Sequence, residues 1–132
     1  MISHTAARLG PTRDAALAVH RALLATERIA WESLNGRVAD NSQFLHLVIH
    51  DPWFAWLRPM TALLAAMDEL MVDRSDDAGT RCRTLLGEVR ALLRPDENGD
   101  DFQQRYFEFV QRSPDVAVAH GVLMRELNRA TA

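Results

Sequence analysis

Two prolines, Pro52 and Pro59, interrupt an otherwise helical pattern that runs from residue 41 to residue 73. A proline in mid-helix removes a backbone hydrogen bond and clashes with the carbonyl four residues earlier, at a cost of about 3 kcal/mol. Asp51-Pro52 suggests another solution, because aspartate caps helices and proline suits the first helical position. We therefore expect a helix that is broken near 51 and again near 59, with residues 41–50 packed against the first helix. Asp40, three residues before Gln43, has the spacing of a capping box and should start the segment. FLHLVI (44–49) is apolar on nearly every side and should be buried or covered. Beyond the second break, Met60, Leu63, Leu64, Met67, Leu70 and Met71 share one face. Core packing is the simplest account of that methionine-rich stripe.

The rest of the chain has the same period. Thr12 can cap a first helix, with Asp14 in its first turn, and Asn35-Gly36 supplies its stop. Leu17, Val19, Leu23, Leu24, Trp31 and Leu34 fall on one broad arc of it. Ser75 to Asp77 mark the next start, and Leu85, Leu86, Val89, Leu92 and Leu93 line a helix to Arg94. Cys82 lies on the same side with no activating neighbour in the sequence. PDENG (95–99) is a loop, after which Asp100 or Asp101 caps a helix whose face is Phe102, Tyr106, Phe109 and Val110. Ser113-Pro114-Asp115 opens the last helix, with Val116, Ala119, Leu123 and Leu127 inward. No segment alternates as a strand does. The expectation is a single all-α domain over 1–132, an antiparallel four- or five-helix bundle with its second helix broken and residues 1–11 flexible.

Charge and composition narrow the function. A net charge of −3 disfavours a nucleic-acid binder, which needs a basic footprint. All 15 basic residues are arginine, and they scatter over helical faces instead of forming a patch. No run approaches the roughly 20 apolar residues of a membrane span, and MISHTAARLGPTR has no apolar core of a secretory leader. One cysteine precludes an internal disulfide, so a cytoplasmic protein is expected. Glycine-rich phosphate loops are absent, the serines mostly sit at helix boundaries, and DENGDD lacks the alternating acids of a calcium loop.

Five polar residues stand out as candidates for chemistry. His20 and Glu27 fall inside the apolar arc of the first helix, where burial is costly without a partner. Seven residues apart, they are separated by about 10.5 Å along the axis, so their partners must come from other helices. His120 lies on the apolar side of the last helix, and His46 and His50 have an i,i+4 spacing able to chelate. Imidazoles and carboxylates projecting inward from several helices can hold a divalent metal. No Glu-x-x-His or His-Glu-x-x-His motif supports that reading. A hydrogen-bonded polar cluster of His20, Glu27 and His120, with no cofactor, is therefore preferred.

HLVIHDPWFAWL is similar to the histidine-bearing second helix of DinB-like four-helix proteins. That resemblance implies a three-histidine metal site with His46 as one ligand, and a metal-dependent thiol transferase activity. The family places two further histidines on a later helix, where this chain has only His120. The stretch from His20 through Pro59, centred on HDPWFAWLRP, also resembles a group of small bacterial all-helical proteins. That likeness implies no activity.

Trp53, Phe54, Trp56 and Leu57 would cover more than half the circumference of one short helix, a wider band than a surface helix normally buries. Such a segment is a plug wrapped by other helices, with its outer side left as a contact surface. Phe107 lies off the Phe102/Tyr106/Phe109 stripe. Trp53, Trp56 and Phe107 are thus the expected interaction surface of a symmetric homodimer. The function expected from sequence is a non-enzymatic, self-associating interaction module, with the DinB-like metal-binding protein as the alternative.

Overall fold

The computed structural model describes residues 9–131, and these form six α-helices and one 3₁₀ turn without a strand. The elements are α1 (Leu9–Asn35), α2 (Asn41–His50), the 3₁₀ turn (Pro52–Leu57), α3 (Arg58–Met71), α4 (Ala78–Leu92), α5 (Asp101–Arg112) and α6 (Pro114–Thr131). The number exceeds the expected four or five because Asp51-Pro52 divides the second helix into two separate elements. None of the described helices is long and apolar enough to cross a membrane.

Local chemistry explains most boundaries. Gly36 ends α1 with φ +88°, a left-handed conformation that glycine adopts without strain, and its N–H donates to Glu32 O at 2.9 Å. Asp40 caps α2 by accepting from Gln43 N at 2.8 Å, while the Gln43 side chain accepts from Ala39 N at 2.6 Å. Asp51 has extended backbone and accepts from Trp53 N at 2.8 Å, with Pro52 in first position. Pro59 occupies the first turn of α3, where its missing N–H costs no hydrogen bond. Asp100 and Gln103 form a reciprocal capping box on α5. Gln103 also donates to Ala91 O at 2.7 Å, tying the start of α5 to the end of α4.

The start of α1 differs from expectation. Leu9 is buried and helical, so residues 9–11 are part of the fold, and the remaining part of the expected flexible segment, 1–8, lies outside the described residues. Thr12 is therefore buried inside the helix and is not its cap. Pro11 is tolerated because the first turn has no intrahelical N–H bonds to lose.

The core is built where apolar faces converge. α1 packs most extensively on α6 and also on α3; α4 packs on α3 and on α6. These four helices close on themselves around Val19, Leu23, Met60, Met67, Leu86 and Leu123, all essentially inaccessible. α5 lies against α6 and brings Phe102 and Tyr106 into the same core. α2 is the exception, because its main contacts are with the 3₁₀ turn and not with α1. None of its residues is buried, contrary to the expectation for FLHLVI. The 3₁₀ turn after Asp51 directs α2 away from the four-helix core, and so an apolar helix is left open.

Removal of one cap tests this account of the corner. Asp51→Ala should lower stability by about 1 kcal/mol through the unpaired Trp53 N–H. Chemical denaturation of both proteins checks it, and an unchanged midpoint would contradict the cap.

Candidate functional site

The 3₁₀ turn is where most of the unusual side chains meet. Trp56 points inward: its ring centroid lies 5.2 Å from that of Phe102 and 5.4 Å from that of Phe109. Its indole Nε1 donates to Glu27 Oε2 at 2.7 Å. This contact answers the buried carboxylate of α1, which is 7% exposed. Arg105, on α5, places its guanidinium 5.4 Å from the centroid of the same indole. Trp56 is half-buried, with its ring against α5 and its indole N–H committed to Glu27. Phe54 is fully buried and meets Phe44 of α2 edge-on at 5.7 Å, with Arg28 of α1 over the Phe44 ring at 4.8 Å. Phe107 is half-buried on α5.

Beside this corner a cleft of about 470 Å³ opens between α1, the 3₁₀ turn and α5. Glu27, Thr26 and Ala30 come from α1, Pro52 and Trp53 from the turn, and Arg105, Glu108, Phe109 and Arg112 from α5. A second depression continues past Pro52, Arg105 and Glu108 towards Pro59 and Asp101. Trp53 is half-buried, and its Nε1 is shielded from solvent with no hydrogen-bond partner among the described residues. Neither Arg105 nor Arg112 forms an ion pair among the described residues.

The histidines do not join Glu27. His20 Nε2 lies 3.3 Å from Thr61 Oγ1 on α3. His120 Nδ1 lies 2.7 Å from the Tyr106 hydroxyl, with the two rings edge-on. The expected cluster of His20, Glu27 and His120 is thus resolved into three separate pairs, each joining different helices. Burial lowers the pKa of both imidazoles and pushes the Tyr106 phenol well above its ordinary value. A protonated phenol donating to the Nδ1 of a neutral imidazole satisfies the Tyr106–His120 pair, and we assign that arrangement. Burial likewise raises the Cys82 thiol, against the smaller opposing influence of Arg81 and Arg83, so Cys82 is held as a neutral core group.

His46 and His50 lie on the exposed side of α2, with ring centroids 4.5 Å apart. Among the described residues, no group of three or more His, Cys, Asp or Glu side chains is placed to hold a metal ion. Leu45 and Ile49 share the open surface of α2, at 59% and 52% exposure. Sequence reasoning did not find Thr61, Tyr106, Arg105 or Arg112. The aromatic-histidine pair had a faint signal, since Tyr106 and His120 each sit on the apolar face of adjacent helices; the arginines had none.

The two half-buried imidazoles give stability a defined pH dependence. Their folded-state pKa values lie below the ordinary 6.5, so the unfolded chain binds more protons as pH falls below that value. Their stabilising contribution is complete above about 6.5 and is lost progressively as pH falls through the folded values. Stability should therefore decline from pH 7 to 5, and His20→Gln with His120→Gln should flatten that decline. Denaturant titrations across this range check it; parallel slopes for the native and doubly substituted chains would contradict it.

No protein-family model, curated protein or solved structure matches the chain.

Proposed function

We propose that the protein is a small, non-enzymatic helical module that self-associates as a symmetric homodimer through α2. The reading includes a core of α1, α3, α4 and α6, in which the short connection 72–77 supports antiparallel packing of α3 and α4. One observation carries the functional reading: NSQFLHLVIH holds five apolar residues and no Asp, Glu, Lys or Arg, and buries none of its residues. Leu45 and Ile49, one helical turn apart, form its exposed ridge. An open apolar ridge on a small domain marks a contact surface.

The absence of charge favours a second copy as the occupant. In a two-fold interface each residue meets the same patch on its partner, so like charges would face one another. α2 has no such conflict, and it offers no fixed charge by which to select an oppositely charged partner. This moves the expected contact surface from Trp53, Trp56 and Phe107 to the preceding helix. The native chain should have a dimer's mass in sedimentation analysis at micromolar concentration. Leu45→Asp with Ile49→Asp should give a monomer with unchanged helical content. A monomeric native chain, or a dimer indifferent to both substitutions, would refute the proposal.

The adjacent rings of His46 and His50 favour a second reading, in which α2 takes a divalent metal. Two imidazoles are an incomplete set for zinc, and a second copy packed on α2 supplies another such pair. In that case added zinc should tighten the dimer, and His46→Ala with His50→Ala should abolish the response. Zinc-independent association leaves the dimer standing and removes the metal.

A further inference from the structure

We propose that the cleft between α1, the 3₁₀ turn and α5 binds a small zwitterion with an apolar body, of the class of aromatic amino acids. The argument starts from Glu27. Its residue is 7% exposed and lines the cleft, and among the described residues only Oε2 is engaged, by Trp56 Nε1 at 2.7 Å. A carboxylate accepts through two oxygens, and Oε1 is not shielded from solvent, so it is open to a donor. Oε1 is therefore the natural acceptor for a donor brought by a ligand. Trp53 and Phe109 line the same cleft. A carboxylate flanked by aromatic rings is an environment suited to an ammonium group, through ion pairing together with attraction to the ring faces.

The rim carries the opposite charge. Arg105 and Arg112 are seven residues apart, on one face of α5, and both are exposed. Neither is ion-paired among the described residues. Arginine's planar fork suits a carboxylate. Glu27, the two arginines and the aromatic side chains Trp53 and Phe109 thus offer, within one cleft, partners for an ammonium, a carboxylate and an apolar body. Glu108 lies between the arginines and disfavours a purely anionic ligand. The volume of about 470 Å³ lies within the range of small-molecule pockets, which spans roughly 300–1,000 Å³. This site is separate from α2 and holds whether or not the chain dimerises.

Three probes separate the two charge contacts: L-phenylalanine, phenethylamine, which lacks the carboxylate, and 3-phenylpropionate, which lacks the ammonium. Binding is read by titration calorimetry and by the indole N–H resonances, where the Trp56 signal reports directly on Glu27. L-Phenylalanine should bind and move the Trp56 signal, and each single-charge analogue should bind at least tenfold more weakly. Glu27→Gln keeps an acceptor for Trp56 and should remove the preference for L-phenylalanine over 3-phenylpropionate. Arg112→Ala, at an exposed position, should remove its preference over phenethylamine while leaving helical content unchanged. No binding of L-phenylalanine at millimolar concentration would overturn the proposal. So would equal affinity for 3-phenylpropionate, which would indicate a site for apolar anions instead.

Discussion

The hydrogen bond from Trp56 Nε1 to Glu27 Oε2 is the constraint on which this corner of the molecule depends. A carboxylate that is 7% exposed in an apolar interface must be compensated, and the indole is the partner the fold supplies. For the indole to reach it, the chain after α2 has to turn sharply inward, and the capped 3₁₀ segment makes that turn. The same ring then lies against Phe102 and Phe109, and so α5 is attached through the residue that satisfies α1. Losing the bond removes the partner of a buried carboxylate and of a half-buried indole at once.

Other polar pairs repeat this role at lower stakes. His20 to Thr61 links α1 to α3, and Tyr106 to His120 links α5 to α6. Each joins two apolar faces at one particular register, which hydrophobic contact alone does not specify. The exposed pair Arg13–Asp68, at 2.8 Å, also bridges α1 and α3. Its exposure to water makes it a weak contributor to stability. Register is therefore set chiefly by the part-buried pairs Trp56–Glu27 and Tyr106–His120, while Leu, Met and Phe packing supplies most of the driving force.

Features decided within four residues were legible in the sequence. Asp40, Asp51, Asp100 and Gly36 were recognisable as caps and stops because each acts on backbone groups beside it. The all-helical class followed from the spacing of apolar residues. Long-range pairing was not legible. Nothing near Glu27 indicates that its partner is an indole 29 positions away, and nothing near His20 names Thr61. Burial of α2 was misjudged for a related reason. FLHLVI shows how apolar the helix is, but whether another helix covers it depends on the direction set by Asp51-Pro52. The direction of the Trp56 ring is not legible either, because a 3₁₀ turn places successive side chains at angles different from those of an α-helix.

The two surfaces left open differ in chemistry, yet one structural element holds both. α2 carries no Asp, Glu, Lys or Arg, whereas the cleft is lined by the Glu27 carboxylate and by two arginines that form no ion pair among the described residues. Pro52 and Trp53 line the cleft and follow the last turn of α2 after a single residue. Phe54 of the same turn meets Phe44 of α2, and Arg58 donates to Ile49 O at 3.1 Å. α2 is thus oriented by the 3₁₀ corner, and that corner is fixed in turn by Trp56 on Glu27. A displacement of the turn would move the wall of the cleft and the exposed ridge of Leu45 and Ile49 together. Stacked rings and one buried hydrogen bond keep the turn in place, so the two surfaces retain a fixed geometry relative to each other.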